Sequence, residues 1–364
     1  MLKKKIASVL LASAMTLSLA ACGGTSSAPA SQAPASEAPA SEAPASEAPA
    51  SQAPAAAAEN DIGFVKGETL TLVVPGKAGG GSDLAIRYYA QALTDVYGLK
   101  TTVTNYDSNT IGHQTVKDAK PDGTTLTLAT GALNIQYITG NSDIDPMKDF
   151  TLIACMQDNG YSALGVPADA PYDDFAGFVE YAKAHPGELN VGMPAAGSNT
   201  FLFGQLTSKL GIELNPVEMA SESDRLTNLA GGFIDIGVVG VGHGLEYEQA
   251  GKLKVIGTVA SDGTTIDGYP EKLPDNYKTL QEQGFQDAYF NVYHYLLGPA
   301  GMDETMVKNM NAAMEKIYET TKDDIAKIGN IPGWHSLEES QTIRQAEYNQ
   351  LVEVGKAIGL YVQG

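Results

Sequence analysis

Thr69-Leu70-Thr71-Leu72-Val73-Val74-Pro75-Gly76-Lys77-Ala78-Gly79-Gly80-Gly81-Ser82-Asp83 decides how this 364-residue chain is to be read. Its first six residues are threonine, leucine and valine, the composition of a buried strand. Pro75 and Gly76 end that strand, because proline has no N–H to give to a ladder. The three glycines that follow let backbone N–H groups approach a ligand with no Cβ in the way. Ser82-Asp83 then opens an amphipathic helix, with Leu84, Ile86, Tyr89, Ala90 and Leu93 at apolar positions. Strand, glycine loop and helix start together make an anion site from free N–H groups and the positive end of the helix dipole. The other reading is a tight βα turn whose glycines serve only chain geometry. Nucleotide readings fail: Thr71 stands where the first glycine of a Walker loop belongs, and Gly79-Gly80-Gly81-Ser82-Asp83 lacks the third glycine of a dinucleotide fingerprint. A carboxylate or similar small anion fits the segment better than a nucleotide.

Outward toward the N-terminus, Lys3, Lys4 and Lys5 precede the apolar run Ile6–Leu19, too short for a stable span and typical of a targeting segment. It closes on Leu19-Ala20-Ala21-Cys22-Gly23, which resembles a bacterial lipobox. That resemblance implies lipidation of Cys22 as the first mature residue, with the bilayer as a partner and an extracytoplasmic location, periplasmic or cell-surface. Cys155, in an apolar run, then has no disulfide partner and reads as a small buried hydrophobe. Residues 26–55 repeat Ser-Xaa-Ala-Pro-Ala and contain nothing to bury, so a semi-extended spacer is expected. The formal charge is −20, and −23 once the three leader lysines are removed. That excludes nucleic acid and anionic membrane faces as favoured partners. It leaves a local anion site made of backbone N–H groups untouched.

Beyond Lys66, short β-branched runs alternate with helical patterns, which predicts an α/β protein of sheets covered by helices. Strands are expected at 69–74, 101–105, 125–129, 151–156, 162–166, 189–191, 215–219, 234–239, 254–259 and 293–297. Helices are expected at 83–97, 174–185, 199–210, 223–230, 302–320 and 340–358. Four loops follow strands at positions where open α/β sheets bind ligands. They are the glycine loop, Thr130-Gly131-Ala132-Leu133-Asn134, the segment from Gly192 to Thr200, and Met219-Ala220-Ser221-Glu222-Ser223-Asp224-Arg225. Each alone also reads as an ordinary βα connection.

Several segments in their order carry a family resemblance. Leu72–Asp83 with Arg87, Pro121-Asp122-Gly123-Thr124-Thr125-Leu126, Asp145–Ile153, Gly231-Gly232-Phe233-Ile234-Asp235, Gly251-Lys252-Leu253-Lys254 and Leu297-Gly298-Pro299-Ala300-Gly301 resemble the extracytoplasmic solute receptors of tripartite tricarboxylate transporters, the Bug family. The resemblance covers essentially the whole folded region. It implies a two-lobed periplasmic-binding-protein fold of type II, with two interlobe crossings and a cleft between the lobes. The expected organisation is a signal segment over 1–21, a lipid-anchored linker over 22–65, a first lobe from 66–162 and 290–364, and a second lobe over 163–289. The resemblance further implies capture of a small tricarboxylate, dicarboxylate or related organic acid by lobe closure, and delivery to a membrane permease. Carried onto this chain, the ligand-binding positions are Ala78, Gly79, Gly80, Gly81 and Ser82 from the first lobe, with Thr130 and Gly131 beside them. Gly197, Ser198 and Asn199 answer from the second lobe, and Ser221 lies in the fourth loop. Tyr161, at the crossing strand, is a candidate cleft wall or a core tyrosine. Gly76 stands where the family usually has an aromatic residue, and Lys77 either offers a cation to a distal acid group or is a solvated loop lysine.

Catalytic constellations are not found. The five histidines form no ligand pair, so neither metal nor cofactor is expected. No Gly-x-Ser-x-Gly elbow occurs. His243, in Gly240-Val241-Gly242-His243-Gly244, either touches ligand or sits in a surface turn. A monomeric, non-enzymatic receptor is the reading favoured, and a lipid-anchored ligand sensor with the same fold and no permease is the alternative.

Overall fold

The computed structural model describes residues 62–63, 68–76, 78–158, 160–219 and 221–363. The targeting segment, Cys22, the Ser/Ala/Pro linker and Lys77 lie outside the described residues. The strands are β1 (Thr69–Val74), β2 (Lys100–Asn105), β3 (Thr125–Thr130), β4 (Phe150–Asp158), β5 (Ser162–Pro167), β6 (Asn190–Met193), β7 (Asn215–Glu218), β8 (Ile236–Gly240), β9 (Leu253–Val259), β10 (Tyr293–Pro299) and β11 (Ile331–Pro332). They form two sheets, ordered β11-β4-β10-β3-β1-β2 and β7-β6-β8-β5-β9. In the first, β1 pairs in parallel with β2 and β3, while β10 runs antiparallel to both β3 and β4. In the second, β6 pairs in parallel with β7 and β8, and β5 runs antiparallel to β8 and β9. The chain leaves the first sheet after β4 and returns to it at β10. Because β5 opposes β8, its start lies at the carboxyl end of the second sheet's parallel strands. The carboxyl ends of both sheets therefore face the same crossing, where open α/β sheets hold ligands.

The helices are α1 (Gly81–Tyr97), α2 (Asn109–Lys117), α3 (Gly131–Ile138), α4 (Phe175–Ala184), α5 (Ser198–Leu210), α6 (Glu222–Ala230), α7 (Val241–Gln249), α8 (Glu304–Lys327) and α9 (Leu337–Ala357). The α/β, two-lobed expectation holds, and all ten expected strands form with ends moved by up to two residues. Four helices differ from the reading of the sequence: α8 runs on to Lys327 instead of ending at 320, and three others were not expected. Thr130–Asn134 is a helix start rather than a loop, the glycine-rich segment at His243 begins α7, and α2 occupies Asn109–Lys117. Glycine costs about 1 kcal/mol per helical position, so local propensity hides α3 and α7. Tertiary burial supplies what propensity lacks: Leu133, Ile135 and Ile138 of α3 are at most 3% exposed.

On one face of the first sheet, α1 and α8 cover Leu70, Leu72, Leu126 and Ile153. On its other face, Val73, Ala129, Leu152 and Tyr295 form a second cluster. The largest buried cluster of the second sheet includes Phe175, Phe178 and Phe201, and it also takes in Ile135 and Ile138 of α3 and Leu351 and Val354 of α9. Helix α9 begins with a capping box, Ser336 and Glu339 satisfying each other's backbone N–H groups. It packs on β4 and α3 of the first sheet and on α5 beside the second. A Gln350 Nε2–H bond of 2.9 Å to Gln205 Oε1 ties α9 to α5. One side of the molecule is thus joined by shared apolar packing.

Among the described residues no helix is long and apolar enough to cross a membrane.

Candidate functional site

The glycine loop is held by a charged knot at the start of α1. Asp83 is 3% exposed and accepts the Gly79 N–H at 2.8 Å, Arg87 Nε–H at 3.0 and 3.1 Å, and Asn105 Nδ2–H at 2.9 Å. Arg87 Nη2 also donates to Asn105 Oδ1 at 3.0 Å. Burial pushes the Asp83 carboxyl up, but the bonds from Arg87, the Gly79 N–H and Asn105 outweigh it and hold the pKa at about 2. Gly79 has φ +85°, a left-handed conformation that glycine adopts without a Cβ penalty. The knot consumes the Gly79 N–H, so that group positions the loop and is not itself free for a ligand.

Helix starts decide where an anion can sit, because their first N–H groups have no partner inside the helix. Among the described residues, Ser108, Thr130, Asp174, Ser221, Asp303 and Ser336 cap α2, α3, α4, α6, α8 and α9 with their side chains. Helix α7 has no such cap, but Glu222 accepts the Gly240 N–H at 2.6 Å and lies 3.0 Å from His243 Nδ1. A carboxylate of the chain itself therefore fills that start, and His243 serves it. Apart from α7, the α-helices without a side-chain cap among the described residues are α1 and α5, which begin after Gly80 and Gly197. They come one from each sheet and follow the first and third of the loops singled out in the sequence.

At α1, Ser82 Oγ lies 3.2 Å from Nε2 of His294, a residue of β10 that is 1% exposed. Burial lowers the His294 pKa to about 4, so the ring is neutral near pH 7. His294 Nδ1 has no partner among the described residues. An orphaned buried N–H is costlier and rarer than an under-used acceptor. The proton is therefore assigned to Nε2, which donates to Ser82 Oγ and leaves the serine O–H free to donate outward. Asn330 is 8% exposed, and its Nδ2 likewise has no partner. It lies 4.0 Å from where a Cβ on Gly81 would stand. Neither His294 nor Asn330 was singled out by the sequence.

At α5, Ser198 and Asn199 line a cavity of about 40 Å³ with Gly160, Ser162, Phe290 and Val292. Gly160 connects the two regions, since it also packs on Gly329 and Asn330. Thr130 caps Ala132, and Gly131 is buried, with Glu347 Oε1 3.0 Å from where its Cβ would be. Burial raises the Glu347 pKa to about 8. Tyr161 is 8% exposed, donates its hydroxyl to Thr265 O at 2.7 Å and packs edge-on to Tyr269. Ser221 spends its hydroxyl on Asp224 as the α6 cap. Ala78, Gly79, Gly80 and Gly81 are exposed. The structure thus groups Gly80, Gly81 and Ser82 with uncommitted donors, and commits Tyr161 and Ser221 to their own surroundings.

A larger cavity of about 730 Å³ lies between α5, α9 and the segment 287–293. Among the described residues that line it, Asp262, Asp287, Glu347 and Glu353 stand against one cation, Lys209. That balance disfavours an anion there, and the uncapped helix starts favour one at the crossing. No group of three or more His, Cys, Asp or Glu that could hold a metal ion occurs among the described residues.

Residues 86–342 match the model of the tripartite tricarboxylate transporter family receptor. The UPF0065 protein in the gbd 5′ region of Cupriavidus necator is 27% identical over 270 residues, covering 72% of this chain and 79% of that one. A TctC solute-binding protein from Polaromonas, solved without ligand, aligns with a TM-score of 0.66 at 24% identity over 79% of this chain and 97% of that one. Rpa4515 of R. palustris, solved with adipate, aligns with a TM-score of 0.64 at 22% identity over 80% of this chain and 97% of that one. These are substrate-binding receptors rather than enzymes, and the chain belongs to the Bug family of extracytoplasmic receptors for tripartite tricarboxylate transporters.

Proposed function

We propose that the protein is a lipid-anchored receptor that captures a small organic acid at the crossing between its lobes and delivers it to a membrane permease. The observation that carries the reading is the pair of uncapped helix starts, α1 and α5, one beside each sheet. The adipate held by Rpa4515 is in keeping with an organic acid as ligand. A carboxylate takes the N–H groups of Gly81 and Ser82 and the Ser82 hydroxyl on one side. Ser198 and Asn199 close on it from the other. Thr130 and Gly131 border this site, and Ala78 stands at its mouth. The cavity at α5 is small, about 40 Å³. In this reading the lobes separate to admit the acid and close to bury it, and closure is what a permease then reads. Cys22 carries the lipid, and the linker that follows it joins the bilayer to the receptor.

Thermal unfolding of the full mature chain against citrate, malate, adipate and glutamate tests the binding. Ligand that binds only the native state adds about 2.7 kcal/mol at a hundredfold excess over Kd. A selective rise in Tm is expected with one acid, and its loss in Gly80→Asp and in Ser198→Asp, where a carboxylate of the chain itself fills the helix start. No rise with any acid sinks the receptor reading. The anchor is tested by metabolic labelling with a fatty acid: Cys22→Ser must lose the label and leave the membrane fraction.

A further inference from the structure

We infer that Asn330 is a ligand-binding residue of the first half-site and that His294 is its positioning partner, acting through Ser82, so that two side-chain donors converge on the start of α1. The inference rests on the carboxylate reading and adds residues far outside the helix-start loops. Asn330 follows α8 and precedes β11, in Gly329-Asn330-Ile331-Pro332. Its amide nitrogen is buried and unpartnered, and it stands 4.0 Å from where a Cβ on Gly81 would be, beside the first residue of α1. Buried donors left without an acceptor are rare in native proteins, because each forfeits the hydrogen bonds it made in water. An acceptor arriving with the ligand removes that cost, so the orphaned Nδ2 marks a place where an acceptor belongs.

His294 supplies the second donor indirectly. Its ring sits behind Ser82 at 3.2 Å and is too buried to meet solvent. By giving its Nε2–H to Ser82 Oγ, it turns the serine proton outward. A carboxylate at the α1 start then accepts from Ser82 O–H and from Asn330 Nδ2–H, in addition to the backbone. Two side-chain donors on different segments fix the direction of the carboxylate, which backbone N–H groups on one turn do not. Asn330 therefore sets how the rest of the acid points toward the second lobe, and so which acids fit.

Calorimetric titration of the full mature chain with the same four acids separates this inference from the reading beneath it. For whichever acid the wild type binds, Asn330→Ala is expected to weaken binding at least tenfold. Asn330→Asp, which places an anion there, is expected to weaken it at least a hundredfold. Ser82→Ala and His294→Phe should each weaken binding, and their double variant should be no weaker than Ser82→Ala alone, because His294 acts through that hydroxyl. Should Asn330→Ala fold poorly, the side-chain amide resonance of Asn330 in the wild type must shift on saturation with the acid. Wild-type binding with an unmoved Asn330 resonance and unchanged affinity in Asn330→Ala overturns the role of Asn330 and leaves the receptor standing. Additive losses in the Ser82 and His294 pair overturn the positioning role. Absence of binding to any of the four acids overturns both the inference and the reading it rests on.

Discussion

Gly160→Ala is expected to destabilise the protein by about 2–5 kcal/mol and to abolish acid binding at temperatures where the variant is still folded. Gly160 lies in the first crossing with φ +79°, a conformation that costs an L-residue about 1–2 kcal/mol. A Cβ there would also stand inside the van der Waals envelope of Gly329 O, and 3.2 and 3.3 Å from Gly329 C and Asn330 Cα. All three are backbone atoms, so no rotamer change relieves the contact, and overpacking of this kind adds roughly 1–3 kcal/mol. The crossing strand and the segment carrying Asn330 must move apart, and Gly160 also lines the cavity with Ser198 and Asn199. Both half-sites are therefore displaced by one methyl group. Differential scanning fluorimetry checks the first part: at roughly 2–4 °C per kcal/mol for a body of this size, a fall near 10 °C is expected. Gly187→Ala is the control, since that glycine also has positive φ but open space around it. Similar losses in the two variants would show that the contact with Gly329 carries no weight.

The fold and the helix starts after Gly80 and Gly197 were legible because they are written in short-range patterns. Thr69–Val74 followed by Pro75 and the glycines reads as strand and turn, and the five apolar positions from Leu84 to Leu93 read as helix. The same holds for Leu189–Val191 and the helix after Gly197. What the sequence hides is what long-range pairing assembles. His294 and Ser82 are 212 residues apart, and only the antiparallel return of β10 beside β3 and β4 brings them together. Asn330 sits between the end of α8 and β11, in a Gly-Asn-Ile-Pro run with no pattern of its own, and β11 is two residues long. Gly131 and the glycines around His243 discourage helix locally, so α3 and α7 exist only through what they pack on. Glu222 at the start of α7 is likewise invisible until α6 and β8 lie side by side.

Asp83→Asn is expected to cost about 1–2 kcal/mol of stability at pH 7 and to weaken acid binding more than tenfold. The stability figure is kept low because the Arg87 side chain is 48% exposed and regains water when the charge opposite it is removed. The folded pKa of Asp83, about 2, lies below its ordinary 3.8. A depressed carboxyl contributes stability that is present above the unfolded value and lost as pH falls through the folded one. The gap between wild type and variant should therefore be full at pH 7, shrink between about pH 4 and pH 2, and close below that. Urea unfolding at pH 7, 4 and 2.5 reads this directly, and an equal gap at all three would remove the ionised carboxylate from the account. Binding falls further than stability because Asp83 holds the Gly79 N–H and, through Asn105, the strand end that carries the loop. Asparagine must present an amide N–H toward Arg87 or toward Gly79, and either choice breaks a bond that orients the three glycines. Wild-type affinity in Asp83→Asn would mean that the loop keeps its shape without the knot, and that the positive φ of Gly79 rather than Asp83 sets the geometry of the anion site.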